Sequence, residues 1–163
     1  MTTMTTTHSH EATTGRALTG MAVSATLHCL TGCAIGEVLG MVLATWWGWS
    51  NGPSIALAIA LAFFFGYALT VWSVRRSGLS LRAAVRIALA ADTLSILTME
   101  IVDNAILLAV PGAMESGLTD VLFWGSLAVA LAIAFVVTMP VNRALIARGR
   151  GHAAVHGLHA GHH

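Results

Sequence analysis

An apolar run opens near Leu18 and closes only around Trp47, yet its middle reads His28-Cys-Leu-Thr-Gly-Cys-Ala-Ile-Gly-Glu37. A run of that length exceeds the ~20 residues that cross a bilayer, which implies tilt or an interfacial end. An ionisable group at membrane depth is costly unless it faces protein or water. These two constraints together confine the chain to packed helices with a polar interior, because lipid leaves no other way to satisfy the backbone.

The run has two rows of four-residue period. Cys29, Cys33 and Glu37 form one; His28, Gly32, Gly36 and Gly40 form the other. At about 100° per residue the rows lie side by side within roughly half the helix circumference. The glycine row is small enough for close backbone approach by another helix, either within the chain or in a homodimer.

Of the 163 residues 56% are hydrophobic and only 9% charged, where a soluble domain carries about a quarter. Mean hydropathy is +0.79. The chain therefore reads as an all-α membrane protein whose main partner is the lipid bilayer. No basic–aromatic surface points to nucleic acid. The N-terminus lacks the arginines of a signal peptide, and the following apolar run is too long for one, so no cleavage is expected.

Four spans are expected, at about 18–47, 54–73, 81–110 and 121–146, within a transmembrane domain of 17–147. Residues 1–16, Thr-rich with His8 and His10, and the tail 148–163, with five histidines, read as disordered. Trp46, Trp47 and Trp49 mark a membrane–water interface. Ser50-Asn-Gly-Pro53 is a turn, with Ser54 expected to cap the second span. That span has no ionisable side chain and reads as scaffold and lipid contact. Pro140 is expected to bend the fourth.

The third span carries Asp92, Ser95, Met99, Glu100, Asp103 and Asn104. On a helical wheel Met99 and Asp103 fall within about 20° of Asp92, and Glu100 within about 80°. Three carboxylates thus share one face, and that face must point into the protein.

There is no lysine, and every arginine falls on one side of a four-span topology: Arg16, the group Arg75, Arg76, Arg82 and Arg86, and Arg143, Arg148 and Arg150. Glu115 and Asp120 lie opposite. Both termini are therefore expected in the cytoplasm, with the chain in the inner (cytoplasmic) membrane. Spans one and three run the same way and should face each other. The topology then predicts an inner layer of His28, Cys29, Asp92, Met139 and Asn142. An outer layer holds Glu37, Glu100, Asp103 and Asn104, with Cys33, Ser95 and Met99 between the two.

The run at 28–37, the helix from Asp92 to Asn104, Met139-Pro-Val-Asn142 and Gly149-Arg-Gly-His152 together resemble a bacterial integral-membrane family catalogued as a domain of unknown function, the DUF4396 family. The resemblance implies a small multi-span membrane protein and assigns no activity.

From the residues themselves, a soft-metal site is the sharpest reading. Thiolate, imidazole and thioether select copper or zinc, with carboxylates suiting harder ions. Cys29 and Cys33 at i, i+4 place two sulfurs together, and His28 or Met99 completes the set. Asp92, Glu100 and Asp103 suggest a cation or proton path, with Glu37, Glu100 and Asp103 as its outer-side relay. Two other readings stay open. In one, the cysteines are packing residues and the polar groups form a structural network with Asn104, Asn142 and Arg143. In the other, Cys29 and Cys33 cycle between dithiol and disulfide, although helical geometry is poor for closure. No nucleophile–base–acid set or phosphate-binding loop is present, so nothing resembles a hydrolase.

Overall fold

The structure, a computed structural model, describes residues 6–76, 78–113 and 115–148, with side chains from residue 15 onward. It consists of four helices: α1 (Thr6–Trp47), α2 (Asn51–Arg76), α3 (Leu81–Ala109) and α4 (Val121–Ala147). No strand occurs among the described residues. The helix α1 begins well ahead of Leu18, so residues 6–16, expected without structure, continue it as backbone helix. The histidines expected in the tail lie outside the described residues, as do Gly149-Arg-Gly-His152.

Three of the helices are long and apolar enough to cross a membrane: α1 from Gly15, α2 and α4. The fourth, α3, is of similar length but carries its three acids. Short connections join all four. The turn after α1 takes Gly48 through a left-handed φ of 65°, which glycine adopts without a Cβ penalty. Ser80 caps α3, its hydroxyl accepting from the Ala83 N–H at 3.3 Å. Asp120 caps α4, accepting from the Leu122 N–H at 2.9 Å. Ser54 is not a cap: α2 already starts at Asn51, and the Ser54 hydroxyl donates back to the Ser50 carbonyl at 2.8 Å. α4 runs on through Pro140 as one helix.

The helices adjoin in ring order, α1 to α2, α2 to α3, α3 to α4 and α4 back to α1, so α1 and α3 lie on a diagonal. The tightest seam is α1 against α2. A Cβ at Gly32 would stand 2.7 Å from the Gly66 Cα, and one at Gly40 would stand 2.6 Å from the Ala58 Cα. At Gly36 it would fall on the backbone N and Cα of Ala62. Positions 32, 36 and 40 thus meet 66, 62 and 58 in antiparallel register, and the glycine row is used inside the chain. The second helix is therefore more than scaffold. Its Ala58, Ala62 and Gly66 let α1 approach, while Thr70 and Val74 of its buried stripe meet Asp92 and Ala84 of α3.

The interior of α3 is the stripe Ala84, Ala88, Ala91, Asp92, Ser95, Ile96, Met99, Glu100, Asp103 and Leu107. All three acids lie on it, as their spacing predicts. The opposite face, with Leu89, Leu94, Leu97, Ile101 and Leu108, is exposed and apolar. Both ends of the bundle carry indoles. Trp46, Trp47, Trp49 and Trp124 are exposed at one end, and Trp72 at the other, stacked beneath the Arg76 guanidinium at 3.9 Å.

Candidate functional site

The diagonal placement of α1 and α3 decides how the polar residues meet. Helices in direct contact would exclude long side chains from their seam; across a diagonal, side chains from both reach the centre. Successive pairs along the two helices form in the order 28 with 92, 33 with 100 and 37 with 103. That order makes the two helices parallel.

At the centre, Cys29 and Cys33 belong to one buried cluster with Met99, Ile96, Ala62 and Ala134. Both cysteines are free thiols. The Cys33 sulfur lies against Cys29 on one side and the Glu100 carboxyl on the other. Asn104, one turn on, donates to the Glu100 backbone carbonyl at 2.9 Å and to its Oε2 at 3.4 Å. One turn further along α1, the Glu37 carboxyl faces that of Asp103, with Glu100 close enough to act on both. Asp103 is 1% exposed, Glu100 3% and Glu37 7%. No donor of regular geometry reaches either oxygen of Glu37 or of Asp103, or Oε1 of Glu100. Every described arginine is exposed, Arg143 included, so no guanidinium enters this interior.

A second, separate group lies nearer the arginine-bearing end. Asp92 interacts with the Thr70 hydroxyl of α2 and with His28. Beside it, Ser95 donates to Asn142 Oδ1, and Asn142 Nδ2 donates to the Thr26 hydroxyl at 2.8 Å. This second chain ties α3, α4 and α1 together.

Six of the eight residues singled out from the sequence therefore converge: Cys29, Cys33, Met99, Glu100, Asp103 and Glu37. His28 and Asp92 lie close to each other a step away. Met139 is half-buried and joins neither group. Among the described residues no three His, Cys, Asp or Glu side chains converge tightly enough to hold a metal ion. Sequence reasoning missed Thr26 and Thr70. A threonine in an apolar helix usually turns its hydroxyl back on the carbonyl four residues earlier, as Thr26 does onto Ala22 at 2.7 Å. The available signal was spacing: Thr70 continues the four-residue stripe of Ala62, Gly66 and Val74 on α2.

A four-helix bundle with buried acids and thiols, three of whose helices are long and apolar enough to cross a membrane, defines a class, that of helical bundles of membrane character with a polar interior. The family follows from residues 20–151, which match the family described as a domain of unknown function, DUF4396. The chain belongs to that family. No curated protein matches the chain, and no solved structure does either.

Proposed function

We propose that this protein crosses the inner membrane four times with both termini in the cytoplasm. It binds copper(I) between Cys29, Cys33 and Met99, and passes the cation along Glu100, Asp103 and Glu37. The observation that carries the reading is the buried cluster in which two free thiols and a thioether meet, with a carboxyl against one of the thiols. The fourth crossing is supported by α3 itself, whose outward face is apolar while its acids point inward. Orientation rests on the arginines, all at the end that holds both termini and the α2–α3 turn. The indoles at both ends support the same placement.

Copper stands before zinc for a coordination reason. Zinc takes four ligands in a tetrahedron, and no three His, Cys, Asp or Glu of the described residues supply such a set. Copper(I) is a soft ion, satisfied by two thiolate sulfurs with a thioether beside them. The Thr26–Asn142–Ser95 chain favours a structural role for the other group, since it joins three helices by hydrogen bonds and reaches no thiol.

The test is metal content. Full-length protein purified in detergent is loaded with copper(I) under reducing conditions, desalted and analysed. The Cys29→Ser/Cys33→Ser variant keeps every histidine, so any copper held by the tail is the same in both. Wild type is expected to retain a whole equivalent more per chain. Equal content removes the proposed site.

The acids are tested separately. Glu100→Gln keeps the shape of the side chain and an acceptor for Asn104. As a relay member its loss is expected to slow copper movement into proteoliposomes about tenfold, the usual scale for groups beside a metal ligand. Copper content and melting in detergent should stay as in wild type. A lowered melting temperature with unchanged transport would assign Glu100 to the structural network instead.

A further inference from the structure

A groove runs down the outside of the bundle between α2 and α3, with room for about 240 Å³. Phe64, Ala68 and Val71 form one wall and Val85 and Leu89 the other, over the buried Ala88. From 64 to 71 it covers about 10 Å of helix, about a third of the hydrocarbon thickness of a bilayer. Its exposed lining is apolar throughout. The Tyr67 hydroxyl donates to Thr93 Oγ1 at 2.9 Å, and the Thr93 proton goes to the Leu89 carbonyl at 2.5 Å. A hydrocarbon chain suits such a trough, and a polar ligand would lose its hydrogen bonds there. The mouth is different. Val74 packs with Ala84 and Tyr67 meets Thr93, a register that brings Arg75 level with Arg82. On a helical wheel Arg75 lies about 40° from Val71 and Arg82 about 60° from Val85, so each wall continues in an arginine. Both arginines are exposed, while the exposed acids among the described side chains, Glu115 and Asp120, stand at the far end of the bundle. Trp72, next to Val71, lies exposed beneath the Arg76 guanidinium and marks the headgroup level.

We infer that this groove binds one anionic phospholipid of the arginine-side leaflet, its phosphate between Arg75 and Arg82 and an acyl chain against Phe64, Ala68 and Leu89. Guanidinium takes phosphate oxygens in bidentate pairs, and basic residues beside a groove between membrane helices suit anionic headgroups. A second copy of the chain is the poorer occupant. In one membrane both copies carry their arginines at the same end, so those of the second would meet Arg75 and Arg82 at the same level. The inference goes beyond the cation site. It rests on the membrane-spanning reading above and is independent of any metal the sulfurs hold.

Lipid competition in a neutral detergent tests it. Full-length protein is titrated with phosphatidylglycerol and phosphatidylcholine of the same acyl chains, and bound lipid is counted by native mass spectrometry. Wild type is expected to prefer phosphatidylglycerol about thirtyfold, roughly fivefold for each arginine. Arg75→Gln/Arg82→Gln should erase the preference. Arg143→Gln/Arg148→Gln removes the same charge at the same end of the bundle, from α4, and should keep it. Ala68→Trp fills the trough without changing a charge and should lose the bound lipid. Every substituted position is exposed, so all three variants are expected to melt like wild type. Excess inorganic phosphate should not displace the lipid. A preference that survives Arg75→Gln/Arg82→Gln, or falls equally in the α4 variant, would overturn the site. So would lipid retained by Ala68→Trp, or displacement by phosphate, which would make the ligand a free anion. Carbonate extraction of membranes isolates the underlying reading: a chain released from the pellet fails as a membrane protein, while a retained chain with no lipid preference fails only here.

Discussion

Gly36→Leu is expected to abolish the folded bundle. A Cβ at position 36 already falls on the Ala62 backbone, which cannot rotate away as a side chain would. Three further carbons would force α2 outward along its length and undo the matching contacts at Gly32 with Gly66 and Gly40 with Ala58. Overpacking in a well-filled core costs about 1–3 kcal/mol where side chains can shift, and more where only backbone can. A membrane helix pair has no hydrophobic force to hold it once packing is lost. The variant should therefore elute as aggregate and show no cooperative melting in detergent. Gly20→Leu is the control, because nothing stands within 4 Å of a Cβ there, and it should melt like wild type. A Gly36→Leu protein that melts normally would mean that α1 and α2 pair in another register.

Glu37→Met is expected to do the opposite: to stabilise the fold while removing the proposed cation uptake. Methionine has nearly the length and volume of glutamate, so packing changes little. What it removes is a carboxyl buried against the Asp103 carboxyl with no regular donor to either. Two acids so placed repel unless a proton or cation lies between them. Replacing buried charged groups by apolar residues of similar volume gains about 1–4 kcal/mol in favourable cases. The melting temperature of the metal-free protein should rise, and cation uptake into proteoliposomes should fall to background. If melting instead drops, Glu37 is a structural partner and the acids hold the bundle together. A gain of stability on losing an acid is the mark of a residue kept for function.

The parts of this architecture written plainly in the sequence are those with a strong physical penalty attached. Asp92, Glu100 and Asp103 cannot face lipid, so their spacing alone assigned the inner face of α3. The glycine row likewise announced a close helix contact, although not its partner. That partner, the ridge Ala58, Ala62 and Gly66, was illegible because alanine and glycine in an apolar helix are as cheap against lipid as against protein. The same neutrality hid Thr70 and Thr26. His28 lies close to Asp92 for a geometric reason: adjacent in sequence to Cys29, it stands about 100° away around the helix. The diagonal relation of α1 and α3 was also out of reach, since it depends on how α2 and α4 pack between them. The start of α1 at Thr6 shows the limit of composition, because polar threonines signal little to bury yet extend an existing helix.

The glycine seam has a mechanical consequence. With backbone against backbone at three levels, α1 and α2 have no side-chain cushion over which to slide, and a shift of one residue would drive Leu or Ile side chains into main-chain atoms. The two helices therefore behave as a single stiff plank. α3 and α4 have no such interlock with it. Their contact with it runs through side chains, the apolar Ile96, Met99 and Ala134 together with the carboxyls, thiols and amides at the centre. Relative displacement of helices is therefore easier between that plank and the α3–α4 pair than within the plank itself.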